Sequence, residues 1–311
     1  MTVLLSVDPL SDCQTVGLSD YSSRMSDTWA VRGRTVDVSR PVVMGIVNVT
    51  PDSFSDGGSF FSPGGALAHC ATLIAEGADI LDIGGESTRP QGAEPVAVEE
   101  ELRRVLPVIR ALAVERPDVV ISIDTVKSEV AEAALEAGAH IVNDVSGFRL
   151  DAAMPGVCAR HAAGVVLMHS RGNVADMATY AHAEFDGDPL DAVLSELEER
   201  IARALEAGVD RANISVDPGI GFGKRSEHSL RLLGCLERFN AWGFPVVIGA
   251  SRKRFVGEIT RTIDPQQRVY GSIGAAVAAF DRGARIFRVH DVRETRHALD
   301  VAAAIRAASR A

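Results

Sequence analysis

The sequence predicts an α/β fold, a (β/α)8 TIM barrel with an N-terminal β-hairpin. From Pro41 onward, short apolar runs alternate with amphipathic stretches, and this unit repeats eight times. Each apolar run has little polar interruption, which is typical of parallel strands buried on both faces. Polar residues follow the end of each run, where barrels of this kind carry their active sites. An open doubly wound sheet is the main alternative, but eight repeats favour closure, and no GxGxxG motif follows the first strand.

The first residues of the chain are expected to lie outside the barrel. Residues 1–25 are rich in Ser and Asp and show no clear period, so we expect a flexible tail. The segment 29–38 has two short alternating pieces around Gly33, which predicts the hairpin. Residues 26–311 are then predicted to form a single domain.

Strands and helices of the barrel are assigned from their periodicity and their start signals. The predicted strands span 42–47, 80–83, 119–123, 140–142, 165–168, 214–216, 245–248 and 284–287. Capping residues followed by proline open two helices, at Ser62-Pro63 and at Asp188-Pro189. The other helices are predicted from about 98, through 130–135, over 152–163, through 230–239, over 270–282, and from 292 to the C-terminus.

Composition excludes several classes of protein. The chain has 311 residues, 46% of them hydrophobic, which suffices for one large domain or two smaller ones. A net charge of −10 argues against a nucleic-acid-binding protein, because such proteins carry basic surfaces. No apolar run is long enough to span a membrane, and no secretory signal is recognised at the N-terminus. The widely spaced cysteines (Cys13, Cys70, Cys158 and Cys235) predict reduced thiols in a cytoplasmic protein.

The stretch MGIVNVTPDSFSDGG (44–58) organises the candidate site. It changes abruptly from a buried strand to a polar loop that contains Asn48, Pro51 and two glycines. An ordinary solvated loop is the alternative, but this one is long for a connection between elements. If the barrel closes, the strand ends bring together one set of polar residues at its mouth: Asn48, Thr88, Arg89, Asp124, Asn143, His169, Asp217, Ser251, Lys253, Arg288 and His290.

Three residues of this set suggest a heterocycle site. Asp124, Asn143 and Asp217 follow the third, fourth and sixth strands. Carboxylates at such a place suit a flat ring with a guanidine-like edge, because each can accept two N–H bonds. Salt bridges to nearby cations, or a metal site, are the alternatives.

Arg288 and His290 suggest a diphosphate site. They leave the eighth strand two residues apart, at a common phosphate position in these barrels. Asn48 lies on the neighbouring first strand and can offer an oxygen to Mg²⁺ that is shared with phosphate. A surface cation and a satisfied barrel histidine are the alternatives for Arg288 and His290.

Two further loops border the predicted mouth. DPGIGFGK (217–224) lacks P-loop spacing, so its glycines are expected to allow close approach of a planar ligand, with Phe222 as an exposed apolar wall. SRK (251–253) places two cations at the mouth. A solvated basic turn and a Schiff-base role for Lys253 are the alternatives, but Arg252 and Arg254 do not by themselves form the dry pocket that a Schiff base needs.

Eight motifs together resemble the dihydropteroate synthase family. They are MGIVNVTPDSFSDGG (44–58), DIGGESTRP (82–90), SIDT (122–125), NDVSG (143–147), LMH (167–169), DPGIGFGK (217–224), GASRK (249–253) and RVHDV (288–292). The resemblance runs from about Trp29 to the C-terminus and implies the condensation of a dihydropterin diphosphate with 4-aminobenzoate. The departures are Gln91-Gly92, which lengthens the second loop, and Ser170-Arg171 after LMH.

The resemblance also implies roles for individual residues. Asn48 would bind Mg²⁺ with the diphosphate, and Arg288 and His290 would bind the diphosphate itself. The pterin would be held by Asp124, Asn143, Asp217 and Lys253. Pro90, Phe222 and Ser251 would line the 4-aminobenzoate pocket, where sulfonamides compete in this family. Thr88, Arg89, Met168 and Gly221 complete the implied substrate-binding set, and a homodimer formed through barrel helices such as 270–283 is expected.

Two other functions remain possible at this point. A pterin-dependent methyltransferase would need no diphosphate site, which the long first loop and the RVH motif oppose. A non-catalytic pterin-binding paralogue would be expected to lose Asn48, Lys253 or Arg288, and all three are present.

Overall fold

The computed structural model describes residues 26–50, 63–86 and 95–309, and its first element is the predicted hairpin. Strands β1 (Thr28–Val31) and β2 (Arg34–Asp37) pair antiparallel. The two residues between them, Arg32 and Gly33, both have positive φ. A two-residue turn of this conformation matches the twist of the flanking strands, which explains the tight connection.

A parallel sheet of eight strands follows the hairpin. Its members are β3 (Val42–Asn48), β4 (Ile80–Gly84), β5 (Val120–Asp124), β6 (Ile141–Asp144), β7 (Gly164–Met168), β8 (Ile214–Asp217), β9 (Val247–Ile248) and β10 (Ile286–Val289). The strand order is β8-β7-β6-β5-β4-β3-β10-β9. A parallel bridge from Val216 to Val246 then joins the two ends, so the predicted barrel is confirmed.

Helices surround the sheet in the predicted alternation. Those of the described residues are α1 (Pro63–Ala75), α2 (Val98–Glu115), α3 (Ser128–Glu136), α4 (Met154–Arg160), α5 (Pro189–Glu206), α6 (Ser226–Gly234), α7 (Glu237–Asn240), α8 (Arg254–Thr260), α9 (Val269–Asp281) and α10 (Val292–Ala308). Asp188 caps α5 as expected, since its side chain accepts a hydrogen bond from Leu190 N. None of the helices in these ranges is long and apolar enough to cross a membrane.

Some predicted element bounds differ from the structure. The single helix expected through 230–239 is divided into α6 and α7, and it breaks after Gly234, a residue that costs helix stability. Leu230, which was expected on the buried face, is 44% exposed. The eighth strand runs further than predicted, so Arg288 lies inside β10 rather than beyond it.

The hairpin closes the amino end of the barrel. Trp29 and Val31 are fully buried and pack with Met44, Ile80 and Ile141 in an apolar cluster inside the strands. The indole of Trp29 also donates a hydrogen bond of 2.8 Å to the carbonyl before β8. This end is filled, so the described polar groups that could bind a ligand lie at the carboxyl end.

Candidate active site

Strand register brings the predicted residues to one level at the carboxyl end of the barrel. Asn48 is paired with Gly84, which is paired with Asp124, and Asp124 is paired with Asn143. On the other side of the barrel, Met168 is paired with Asp217. These residues therefore face one mouth, as the strand count predicts.

Arg288 is held between two carboxylates. Its Nε donates to Asp82 at 2.6 Å, and its Nη2 donates to Asp124 at 2.6 Å. Asn143 donates to the same oxygen of Asp82 at 3.1 Å. Burial alone would lower the pKa of Arg288, but the charges of Asp82 and Asp124 raise it overall. The guanidinium is consequently a fixed cation at the floor of the mouth.

Asp82 is a site residue that the sequence analysis did not single out. It lies in the middle of β4 and is fully buried. Its other carboxylate oxygen, Oδ1, has no hydrogen-bond partner among the described residues. The sequence did contain a signal for it: Asp82 is a lone acidic residue inside an apolar strand, and such a residue needs a cation nearby.

Asp217 and Lys253 follow the neighbouring strands β8 and β9, and their charges influence each other. Burial raises the pKa of Asp217 to about 6, although the Gly219 N–H and the charge of Lys253 oppose this shift. Burial, followed by the charge of Arg288, lowers the pKa of Lys253 to about 8. Asp124 resembles Asp217, because burial raises its pKa in spite of Arg288. Both carboxyl groups are thus costly to ionise in the free protein, and hydrogen-bond donors from a ligand would relieve that cost.

An apolar wall lies beside these charges. Met168 and Phe222 are buried and pack with Val126 and Val145 in one cluster. The Nζ atom of Lys253 lies 3.9 Å from the centroid of the Phe222 ring. The expectation of an exposed Phe222 is therefore wrong: the ring is only 8% exposed, because Lys253 covers it.

Ser251 and His290 interact directly. The Ser251 hydroxyl lies 3.1 Å from His290 Nδ1 and accepts the His290 backbone N–H at 3.2 Å. Burial, followed by the charges of Arg252 and Arg288, lowers the pKa of His290 to about 3. A neutral imidazole at this place acts through one N–H donor rather than through a positive charge.

Two predicted mouth residues are engaged elsewhere. His169 is buried below the loop that follows β8, where its ring contacts Lys224 and Glu196. Arg252, one of the two cations expected at the mouth, pairs with Asp291 at 2.5 Å. Lys253 therefore remains as the cation that this loop directs to the site.

Asn48 has surroundings that suit a metal shared with a ligand. It ends β3 and is partly buried, and among the described residues no side chain hydrogen-bonds to its amide. The described residues contain no cluster of His, Cys, Asp or Glu that could enclose a metal by itself. Mg²⁺ commonly binds to one or two protein oxygens, several waters and substrate phosphates, so a single amide oxygen fits this mode. Thr88, Arg89 and Pro90 lie outside the described residues.

Comparison with known proteins identifies the family of this site. The model of the family described as "Pterin binding enzyme" matches residues 44–290. The chain is 43% identical over 274 residues to dihydropteroate synthase of Escherichia coli strain K12, covering 87% of this chain and 93% of that protein.

Solved structures of dihydropteroate synthases are also similar to this chain. The dihydropteroate synthase of Xanthomonas albilineans with 4-aminobenzoic acid has a TM-score of 0.84 and 46% identity, covering 91% of this chain and 99% of that one. The same enzyme in complex with 7,8-dihydropteroate gives a TM-score of 0.81 at 44% identity, with 90% and 99% covered. The chain belongs to the dihydropteroate synthase family of pterin-binding enzymes.

Proposed function

We propose that this protein condenses 6-hydroxymethyl-7,8-dihydropterin diphosphate with 4-aminobenzoate, giving 7,8-dihydropteroate and diphosphate. The observation that carries this proposal is the arrangement of Asp124, Asn143 and Asp217 around Arg288 at the barrel mouth. A pterin presents adjacent N–H donors and acceptors in one plane, and the carboxylates and the amide of the protein are complementary to them. Met168 and Phe222 form a buried apolar wall beside these groups, and Lys253 lies over the Phe222 ring.

The pterin side of the site supplies negative charge. Asp124, Asn143 and Asp217 would hold the ring, and Lys253 would donate to it from above Phe222. The buried carboxylates favour positive charge that develops at the pterin methylene as diphosphate departs. Gly221 leaves room for this lysine, since a Cβ at residue 221 would lie 3.2 Å from Lys253 Cδ.

The diphosphate side of the site supplies positive charge and donors. Arg288 would bind the leaving group as a cation, and His290 would donate one N–H to it. Asn48 would hold Mg²⁺ together with the phosphate oxygens, and the metal would stabilise their charge. Ser251 orients His290 and, with Phe222, borders the proposed 4-aminobenzoate pocket. Thr88, Arg89 and Pro90 keep the substrate contacts that the family resemblance implies.

The bond changes require little acid–base chemistry from the protein. A bond forms between the amine nitrogen of 4-aminobenzoate and the pterin methylene carbon, while the bond from that carbon to the diphosphate oxygen breaks. The amine then loses one proton. An aryl amine is nucleophilic without deprotonation, so the main task is to stabilise the departing diphosphate and to exclude water from the methylene carbon.

The test is diphosphate release by the purified protein. Dihydropterin diphosphate is supplied with and without 4-aminobenzoate and Mg²⁺, and the wild type is compared with Asn48→Ala. Release should require both additions and should fall by about 100-fold or more in the variant, because the metal loses its protein oxygen. Tight pterin binding without any release would overturn the synthase and favour the non-catalytic paralogue or the methyltransferase.

We also propose that the protein acts as a homodimer in the cytoplasm. An apolar groove between α6, α8 and α9 is lined by Leu233, Phe255, Val256 and Ala275 among others. Large apolar side chains around it are exposed, namely Leu230, Ile259, Ile263 and Tyr270. Such a face supports association of two copies of the chain, because single scattered apolar residues are normal but a cluster is not. Cys70, Cys158 and Cys235 are buried and form no disulfide among the described residues, which suits a reducing compartment.

A further inference from the structure

A buried lysine outside the proposed substrate contacts stands at the end of the loop that follows β8. Lys224 is only 1% exposed. Its Nζ atom donates to His169 Nδ1 at 2.7 Å, to the Phe222 carbonyl at 2.9 Å and to the His169 carbonyl at 3.3 Å. An ammonium group has three N–H donors, and three acceptors surround this one. With the His169 ring neutral and its proton on Nε2, facing the Glu196 carboxylate, a neutral amine would leave one of these acceptors without a donor.

The histidine partner of Lys224 is held in one tautomer. Burial lowers the pKa of His169, so its ring is neutral, and the ionised Glu196 carboxylate beside Nε2 can only accept a hydrogen bond. The ring proton therefore belongs on Nε2, and Nδ1 is left to accept from Lys224. The Nε2 atom lies 3.1 Å from Glu196 Oε2, which accepts its hydrogen bond. Glu196 also accepts from Arg171 and lies 3.5 Å from Arg200. The hydrogen-bonded chain from Lys224 to Glu196 is therefore complete on both sides of the imidazole.

Lys224 fastens the loop to the end of β7. Its bonds join the Phe222 carbonyl in the loop to the His169 carbonyl at the strand end. The two backbones lie so close that a Cβ at Gly219 would be 1.8 Å from the His169 oxygen. Gly219 N donates to Asp217 at 2.7 Å, and the Phe222 ring lies below Lys253. The proposed pterin-binding groups Asp217 and Lys253 thus depend on the turn that Lys224 holds.

We propose that Lys224 is a positioning residue for this reaction: its buried ammonium fixes the turn 219–222 and places a positive charge near Asp217. This inference rests on the proposed function. Lys224 does not touch the proposed substrate positions. It acts through the carboxylate of Asp217 and through the support of Phe222 for Lys253.

Charged groups on several elements determine the effect on Asp217. Its carboxylate is faced by Lys253, Lys224 and Arg288. Lys224 is in turn surrounded by Arg200, Asp217, Glu196 and Arg171. Burial, followed by the charge of Arg200, lowers the pKa of Lys224 well below its ordinary value, and the three acceptors on Nζ oppose this shift by stabilising the charged form. Removing this charge should raise the pKa of Asp217 further.

The first experiment compares wild type with Lys224→Met, a change that keeps the length of the side chain. We measure kcat and KM for dihydropterin diphosphate against pH. The KM should rise about tenfold, because a charged hydrogen-bonding group that holds the loop is lost. The acid limb of kcat/KM, where Asp217 becomes protonated, should move up by about half a pH unit or more.

A matched variant separates the charge from the loop contact. Ser229→Ala removes the hydroxyl that accepts the Gly221 N–H at 3.3 Å, and it leaves every charge in place. Its acid limb should coincide with that of the wild type even if its KM rises. A folded Lys224→Met protein with an unshifted acid limb would overturn the proposal, because a purely structural lysine predicts that result.

The second experiment needs no variant at Lys224 that might fail to fold. The chain contains only three lysines, Lys127, Lys224 and Lys253, so selective ¹³C labelling of the lysine side chains gives a simple NMR spectrum. Signals are assigned with Lys127→Arg and Lys253→Arg and are followed against pH. A charged Lys224 at pH 7 is expected, and a neutral one would overturn the proposal. A wild type that releases no diphosphate refutes the proposed function instead, and this titration still tests Lys224.

Discussion

At the scale of single residues, buried carboxyl groups at the mouth are costly to ionise in the free protein. Asp217 is 4% exposed, and burial raises its pKa from 3.8 to about 6. A carboxyl whose pKa is higher in the folded chain than in the unfolded chain holds its proton more tightly when folded. Its ionisation therefore costs stability as pH rises from about 4 to about 6, and the full cost remains above that window.

Replacing Asp217 by Asn should remove this cost. Relative to wild type, the free energy of unfolding of Asp217→Asn should increase by roughly 2–3 kcal/mol between pH 4 and pH 8. Pterin binding should weaken at the same time, because the ionised acceptor is lost. Urea unfolding at both pH values measures the first effect. Asp191→Asn, at a side chain that is 70% exposed, is the control and should show no such gain.

The residues of the site were only partly predictable from the sequence. Asp124, Asn143 and Asp217 stand where apolar strands end, and a parallel barrel necessarily gathers those positions. Asp82 and Lys224 could not be assigned in the same way. Their roles depend on which strand or loop lies opposite, and that is set by register and loop packing rather than by local pattern. The same reason explains His169, which follows a strand but turns away from the mouth.

At the scale of elements, the loop that follows β8 is formed by glycines that no other residue can replace without strain. Gly219, Gly221 and Gly223 all have positive φ. The repeated glycine pattern in the sequence predicted close approach of a planar ligand, and it did not reveal that Gly219 lies against the backbone carbonyl of His169. Element existence followed from periodicity, whereas helix ends such as the break after Gly234 depended on tertiary packing.

Two glycine variants distinguish lack of space from backbone strain. Gly219 and Gly187 both have positive φ, but only Gly219 is crowded, while a Cβ at Gly187 would meet nothing within 4 Å. Gly187→Ala should cost about 1 kcal/mol of stability and leave pterin binding unchanged. Gly219→Ala should cost more and weaken pterin binding by about tenfold or more, since the turn must move away from His169. Thermal unfolding and titration calorimetry measure both effects, and equal behaviour of the two variants would contradict this account.

At the scale of the whole molecule, the described helices of the barrel form an apolar outer face at the groove between α6, α8 and α9. The groove between α6, α8 and α9 lies on the outer helices, so association of two copies there would leave the site accessible. The sequence predicted the barrel because eight similar units can close only in a few ways. For the interface it offered only the helix 270–283, and it did not locate the groove, because the groove also requires α6 and α8 to pack beside α9.

The proposed dimer is tested by placing charges in this face. Ile259 is 61% exposed and Tyr270 is 84% exposed, so Ile259→Glu with Tyr270→Glu should fold normally and sediment as a monomer. Val114→Glu, on α2 at a side chain that is 80% exposed, is the control and should remain dimeric. Analytical ultracentrifugation at micromolar concentration reports both. A wild type that sediments as a monomer would refute the proposal.

The hairpin at the amino end determines where substrates enter and products leave the barrel. Because Trp29 and its neighbours fill that end, the described residues leave no passage through the amino end of the barrel. Both substrates and both products must pass through the same opening, so the products of one turnover have to leave the mouth before the next substrates can bind. A product that stays bound at the mouth competes with both the pterin and the aryl amine. Because the hairpin closes the other end of the barrel, product release through this opening limits how fast the enzyme can work when its product is present.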